Sequence, residues 1–236
     1  LTIADYDRKK ETITIIYHIV GYSTKALSLL NEGDEITDFV GPLGEPTKLH
    51  ASKHVIGVAG GVGSAPLYPQ LRALAQMGVE VDVIIGGREA QYVLWADEFR
   101  KFCKNVYITT DDGSLGRKGF VTQVLADLIE QGEEIDEVIA IGPVPMMKAV
   151  VGVTKPHNIK TSVSLNPIMI DGTGMCGCCR VTVDGKIKFA CVDGPDFDGL
   201  QVDFDELMAR QRMFKEEEHQ MDEKANRMCN LMGGVQ

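Results

Sequence analysis

The chain has 236 residues, 44% of them hydrophobic and 25% charged, an ordinary composition for about two globular domains. No apolar run approaches the ~20 residues that a membrane-spanning helix needs. A formal charge of −10 with no compensating basic patch argues against nucleic acid or an anionic membrane as a partner.

The chain opens on Leu1, and LTIAD and ITIIYHIVG read as strands separated by the charged turn DYDRKKE. Residues 1–50 are therefore expected to be the C-terminal part of a β-barrel whose N-terminal part is absent from this sequence, with no signal peptide in front. Gly21-Tyr22-Ser23-Thr24 then leads into a short helix over Lys25–Asn31. Hydroxyls at a helix start either seat a phosphate or simply cap the helix. Gly33-Asp34 and Gly41-Pro42-Leu43-Gly44 mark further turns.

Residues 51–155 alternate strand and helix. HVIGVAG reads as a buried strand running into Gly60-Gly61-Val62-Gly63-Ser64-Ala65-Pro66, then the helical LYPQLRALAQMG. Strand, glycine turn and helix in that order let a backbone approach a pyrophosphate, and here alanine stands where the last glycine of the fingerprint would be. VEVDVIIGGR is the second strand, and it ends in Gly86-Gly87-Arg88 rather than in an acid that would take a ribose hydroxyl. YVLWADEFRKF is expected to be an amphipathic helix whose tryptophan packs rather than stacks on a cofactor. NVYITTDDGSLGRKG is a third strand with a polar glycine loop, FVTQVLADLIEQG a third helix, and EVIAIGPVPMMKAV a strand leading into a helix. Gly60–Pro66, Gly87-Arg88, Asp112-Gly113 and Gly142–Met147 would all gather at the carboxyl ends of an open parallel sheet.

KPHNIKTSVSLNPIM is read as a linker into residues 171–191, DGTGMCGCCRVTVDGKIKFAC, which hold four of the six cysteines. Asp171, Cys176, Cys179 and Cys191 reproduce the plant-type [2Fe–2S] spacing C-x4-C-x2-C…C with aspartate in the first place. Thiolates are soft donors for iron, and a carboxylate is a harder ligand that iron accepts. The glycines permit a tight loop, and RVTVDGKIKFA reads as a hairpin with an Asp-Gly turn. Two rivals stand beside this reading: a zinc knuckle on Cys176, Cys178, Cys179 and Cys191, and structural or redox thiols. GPDFDGLQVDF is a turn-rich exit, and residues 203–229 read as one charged helix, either a solvated face or a partner surface. Cys103 and Cys229 carry no evident chemistry. The expected domains are 1–50, 51–155, 156–202 for the cluster, and a C-terminal helical extension over 203–236. The fold class is α/β plus β, and free thiols with a cluster motif place the chain in the cytoplasm.

Together Leu1-Thr2, YHIVGYST, GPLG, AGGVGSAPL, DDGSLGRKGFVT, IGPVPMM and the cysteine loop resemble the ferredoxin–NADP reductase superfamily over essentially the whole chain. Within it the chain is similar to two groups of flavin- and [2Fe–2S]-bearing electron-transfer subunits: those of NADH-dependent reduced ferredoxin:NADP oxidoreductases and those of dihydroorotate dehydrogenase B. The resemblance implies FAD between barrel and nucleotide domain. Leu1 and Thr2 would end the flavin motif, Ile16, Tyr17 and His18 would line the flavin, and Ser23 and Thr24 would form the diphosphate turn. It implies NAD(H) or NADP(H) against Gly60, Gly61, Gly63, Ala65, Pro66, Gly87, Arg88, Asp112, Gly142, Pro143, Met146 and Met147. The first group has aspartate at the position of Asp171 and the second has cysteine. The implied activity is that of an oxidoreductase subunit carrying electrons between nicotinamide, FAD and cluster. Its partner would be a larger iron–sulfur flavoprotein subunit in a heterodimer, where bifurcation between ferredoxin and NADP occurs. The alternatives are a dihydroorotate-type complex and a non-catalytic wiring subunit. No acid–base side chain is assigned.

Overall fold

The computed structural model describes residues 1–231, with side chains through Lys224, so the reading of Cys229 as chemically silent concerns a side chain outside the described residues. Two strands, β1 (Ile3–Asp7) and β2 (Thr12–Ile15), pair as an antiparallel hairpin, followed by the short helix α1 (Tyr22–Leu27). β2 is shorter than expected: Ile16–Val20 continue without a strand partner. The hairpin is held to the rest by Arg72, which donates to Asp5 at 2.6 Å and lies over the Tyr6 and Tyr68 rings.

The central unit then follows in order: β3 (His54–Gly60), α2 (Ser64–Gln76), β4 (Glu80–Gly87), α3 (Ala96–Phe99), β5 (Asn105–Thr110), β6 (Arg117–Lys118), α4 (Val121–Glu130), β7 (Glu137–Ile141), α5 (Val144–Thr154) and β8 (Lys160–Ser164). The cysteine loop leads to a hairpin of β9 (Arg180–Val183) and β10 (Lys186–Phe189), then α6 (Ala190–Asp193), β11 (Asp196–Asp198), α7 (Phe204–Arg210) and α8 (Lys215–Leu231). Among the described residues, seven strands form one sheet in the order β11-β8-β7-β3-β4-β5-β6, all parallel except β11. β3 sits centrally, with β4 on one side and β7 on the other, so the strand order reverses between β3 and β7. That reversal opens a crevice at the carboxyl ends.

Alternation along the buried strands sends two sets of apolar side chains to opposite faces. Val55, Ala59, Val83 and Ile85 pack beneath α2 and Phe99. Ile56, Val58, Ile84, Val138 and Val163 pack beneath α4, α5 and α7. Each fully buried aliphatic side chain contributes on the order of 1.5–3 kcal/mol, so these two layers hold the crevice-bearing loops in place.

Four further segments differ from the sequence reading. The helix expected over 92–102 shrinks to α3, because Trp95 adopts a left-handed backbone (φ 59°) while its ring packs 4.9 Å from Tyr68. The linker expected over 155–169 contains β8, and the expected exit contains β11, so the sheet runs past residue 155 into both flanks of the cysteine loop. Its periodicity was masked because the two buried positions of KTSVS are Thr161 and Val163, and the threonine reads as polar. The single helix expected over 203–229 is broken into α7 and α8, and Phe204 and Leu207 of α7 lie in the main core. A turn over 211–214 separates the packed half from the solvated half.

The entry to and exit from the cysteine loop are paired with each other: Ser164 lies opposite Asp196, and the Leu165 N–H donates to the Pro195 carbonyl at 2.9 Å. At the opposite end of the sheet from the crevice, His54 and Asp82 form a buried pair at 3.2 Å, with His54 Nδ1 3.1 Å from the Glu134 carbonyl and Asn105 donating twice to Asp82 Oδ1. The Asp82 bond raises the His54 pKa against burial, which alone would lower it. Only the imidazolium can donate from both nitrogens at once. Substituting His54→Leu is expected to destabilise the fold by about 2 kcal/mol at about pH 6. A histidine with a raised folded pKa contributes fully below its ordinary value and loses that contribution as pH rises through the raised one. Urea denaturation should therefore show the gap between wild type and variant narrowing as pH rises above the ordinary histidine range, whereas a constant gap would mean that the pair is held by neutral imidazole.

Candidate functional site

The cysteine loop is shaped by glycines that no other residue replaces cheaply. Gly172 and Gly174 hold φ +76° and +89°, and a Cβ at Gly174 would lie 2.5 Å from Val192. The four candidate ligands, three in the loop and Cys191 on α6, fall into two pairs. Cys179 and Cys191, both buried, have sulfurs 3.2 Å apart, well beyond the ~2.05 Å of a disulfide. Asp171 and Cys176 form the exposed pair: one Asp171 oxygen accepts from the Cys176 N–H at 2.6 Å, and the other accepts from the Thr173 N–H and hydroxyl. The Cys176 thiol and these N–H groups hold the Asp171 carboxyl well below the usual carboxylate range. Burial and then the neighbouring Cys179 thiol push Cys191 up to about 11, and the Gly174 N–H and the Asp171 charge also reach it. All four donors thus sit in one electrostatic neighbourhood.

That arrangement separates the rival readings. Two donor pairs side by side suit a group with two metal centres, and the mixed soft and hard donors suit iron. Cys178 is turned to other work: its N–H donates to Cys176 Sγ at 3.4 Å, and its carbonyl accepts from Arg210 at 3.3 Å. Cys103 is half-buried against the α2 face, and desolvation first, then Asp82, pushes its thiol up to about 12, so it is inert.

The second part of the site is the crevice between β3 and β7. Gly60 and Gly142 face each other: a Cβ on Gly60 would lie 2.6 Å from Met146 Sδ, and one on Gly142 would lie 3.0 Å from the Gly60 N. A Cβ on Gly63 would run into the Ile141 carbonyl. Gly61 differs, since its φ is +55° and nothing stands within 4 Å of where its Cβ would be. Here the backbone faces open space in a conformation that favours glycine, which is the shape a pyrophosphate needs. Two buried hydroxyls, Ser64 Oγ at the start of α2 and Thr109 Oγ1 on β5, lack a partner among the described residues. Pro143 is exposed and Met146 half-buried at the lip, and Pro66 is half-buried on α2. Ala65 is buried beneath α2, and Met147 is buried in the core beneath α5, so both act through packing.

The loops after β4 and β5 are tied together. Asp111 and Asp112 donate their N–H groups to the Gly87 and Arg88 carbonyls at 3.1 and 3.2 Å. Ser114, a residue the sequence reading did not single out, accepts from the Ala90 N–H and donates its own N–H and hydroxyl to Asp112. Its N–H and then its hydroxyl hold the Asp112 carboxyl below its ordinary value. The Asp-x-Ser spacing of DDGS is the sequence signal for that turn. Arg88 is exposed, with no carboxylate in ion-pair range among the described residues.

The third part is the N-terminal segment. Leu1 and Thr2 are exposed, Ile16 and Tyr17 half-buried, and His18 meets Tyr92 edge-on at 6.0 Å. Ile19 and Val20 are 50% and 65% exposed, an apolar strip suited to a flat aromatic group. Thr24 Oγ1 accepts from the Val20 and Gly21 N–H groups, which makes it a cap, while Ser23 has no partner among the described residues. Lys25 pairs with Asp222 of α8 at 3.0 Å.

Two family models match the chain: an oxidoreductase NAD-binding domain over residues 58–152, and the iron–sulfur cluster-binding domain of dihydroorotate dehydrogenase B over residues 166–203. The chain is 45% identical over 218 residues to a Thermotoga maritima homologue of the dihydroorotate dehydrogenase B (NAD(+)) electron-transfer subunit, covering 92% of this chain and 77% of that protein. The chain belongs to that family, within the ferredoxin–NADP reductase superfamily. It is also 52% identical over 226 residues to an uncharacterized protein of Clostridium beijerinckii, covering 92% of this chain and 76% of that one. Among solved structures, that of an NADH-dependent reduced ferredoxin–NADP oxidoreductase superposes with a TM-score of 0.88 at 43% identity, over 94% of this chain and 80% of the other. As a member of the family the chain is an NAD(P)H-dependent oxidoreductase subunit, and the two domain matches within this superfamily indicate a [2Fe–2S] cluster, FAD and NAD(H) as its cofactors. No helix of the described residues is long and apolar enough to cross a membrane.

Proposed function

We propose that this chain is the electron-transfer subunit of an NADH-dependent ferredoxin:NADP oxidoreductase, working in the cytoplasm in a heterodimer with a larger iron–sulfur flavoprotein subunit. The observation that carries this reading is Asp171, which accepts from the Cys176 N–H in a loop whose end, Cys179, lies 3.2 Å from Cys191 of α6. Aspartate there resembles the ferredoxin:NADP group, whereas the dihydroorotate group has cysteine at that position. The solved relative with a TM-score of 0.88 points the same way. The second reading, a dihydroorotate-type complex, draws on the names of the relatives and of the cluster-domain model.

In this reading the bound cofactors supply hydride exchange at the nicotinamide and flavin and single-electron transfer at the cluster. The residues position them. Gly60, Gly61, Gly63 and the start of α2 receive the pyrophosphate, and Arg88 and the Ser114-braced Asp112 take the nucleotide's outer half. Gly142, Pro143 and Met146 line the inner end of the crevice, towards Ile16, Tyr17 and His18 on the flavin side. Leu1, Thr2, Ser23 and the capped turn at Thr24 complete the flavin seat, and Asp171, Cys176, Cys179 and Cys191 hold the cluster. The exposed Asp171–Cys176 edge of the loop is the side from which electrons leave for the partner subunit and, through it, ferredoxin.

The test is purification from the native source with a list of partner chains and cofactors, followed by anaerobic addition of NADH. Bleaching of flavin absorbance within the heterodimer is expected. A nucleotide site that leaves flavin oxidised would make this a wiring subunit. A lone chain that reduces ferredoxin from NADPH unaided would overturn the two-subunit reading.

A further inference from the structure

Arg210 ends α7, 32 residues beyond Cys178 in sequence, yet its Nη2 donates to the Cys178 carbonyl at 3.3 Å. Cys178 lies between the two proposed ligands Cys176 and Cys179. The next residue, Gln211, donates from Nε2 to the Asn166 carbonyl at 2.8 Å, so the end of α7 grips both the approach to the loop and its centre. The helix is a firm base for this grip. Phe204 and Leu207 are buried in the main core, Asp203 caps the first turn through the Glu206 N–H at 2.9 Å, and the Asp203 N–H donates to the Thr182 carbonyl of β9. Arg210 is half-buried, and among the described residues no carboxylate lies within ion-pair distance of it.

We infer that Arg210 is a positioning residue for the cluster, fixing the Cys176–Cys179 segment through the Cys178 carbonyl and setting the cluster's reduction potential with an uncompensated positive charge. The inference rests on the proposed ligand set. With three thiolates and one carboxylate on two ferric ions and two sulfides, the oxidised cluster carries a formal charge of −2, and uptake of one electron makes it −3 with no bond made or broken. A fixed cation nearby stabilises the more negative state, and net charge and hydrogen bonding are the levers that set such potentials. The bond to the carbonyl acts in the same direction. It polarises the Cys178–Cys179 peptide, whose Cys179 N–H has no partner among the described residues.

The experiment compares wild type, Arg210→Lys and Arg210→Met in the full heterodimer, by iron content and by a redox titration followed through the EPR signal of the reduced cluster. Arg210→Met should keep its iron and titrate at a more negative potential than wild type. Arg210→Lys, which keeps the charge, should recover most of the difference. NADH bleaching of the flavin should be the same in all three, because Arg210 touches neither the crevice nor the N-terminal segment. An unchanged potential in Arg210→Met at full iron content overturns the inference. So does loss of iron from either variant, which would make the contact merely structural. A wild-type protein with no two-iron signal would instead overturn the ligand assignment on which the inference stands.

Discussion

Serine in place of Cys179 or Cys191 is expected to remove the [2Fe–2S] absorbance and the iron, and serine in place of Cys178 is expected to keep both. The asymmetry comes from where the sulfurs lie. Cys179 and Cys191 are buried 3.2 Å apart, where a hydroxyl in place of a thiolate leaves iron a poorer donor and leaves a buried polar group unpaired. Cys178 contributes backbone groups to the loop, its N–H to Cys176 and its carbonyl to Arg210, and serine preserves both. Cys176→Ser should also lose the cluster, and Asp171→Cys should keep one with an altered potential. Iron analysis and the visible spectrum of the purified variants decide the matter. A Cys178→Ser protein without iron would sink the assignment of ligands.

The second large effect is expected at Gly61. Substituting Gly61→Val places a branched side chain where nothing now stands within 4 Å, on a backbone with φ +55° that valine adopts only under strain. If the pyrophosphate rests against that backbone, NADH reduction of the flavin should fall by about 100-fold or more, the scale of loss that follows from displacing a bound reactant by ~1 Å. Cluster and flavin content should be unchanged, because Gly61 touches neither segment. Gly63 is the instructive contrast. Its Cβ would collide with the Ile141 carbonyl, so Gly63→Val should damage folding itself rather than nucleotide binding alone. Stopped-flow reduction by NADH, with circular dichroism as a control on folding, separates the two. Normal reduction kinetics in Gly61→Val would move the nucleotide elsewhere.

The parts of the molecule that were legible in the sequence are those in which local chemistry and tertiary structure agree. β3, its glycine turn and α2 could be read from six buried residues followed by GGVG and an apolar helix. The β9–β10 hairpin followed from alternation around Asp184-Gly185, both of which take positive φ. The ligand spacing around Cys176 could be read because a loop's covalent reach is a local property. What stayed hidden was non-local. β8 is a strand because β7 and β11 flank it, and nothing in KTSVS announces that. Trp95 takes a left-handed backbone because Tyr68 offers its ring a face, which ends a helix that the local pattern favoured. Arg210 reaches the cysteine loop only because α7 is pinned by Phe204 and Leu207 in the core, and spacing carries no trace of such a contact. By contrast, the bracing of Asp112 by Ser114 was within reach, since Asp-x-Ser turns form from neighbours alone.

The pairing of Ser164 with Asp196 at the foot of the cysteine loop bears on how electrons are timed. A redox module joined to its scaffold by one strand of chain can swing, and many electron carriers use such a swing as a gate. This one leaves the sheet on β8 and returns on β11, its immediate hydrogen-bonded neighbour, with Leu165 and Pro195 fastened to each other just above. Both feet stand side by side on the same rigid edge, so the lobe has no free tether on which to travel. The spacing from nucleotide crevice to cysteine loop is then set by the folded sheet edge itself and not by the length of a swinging tether.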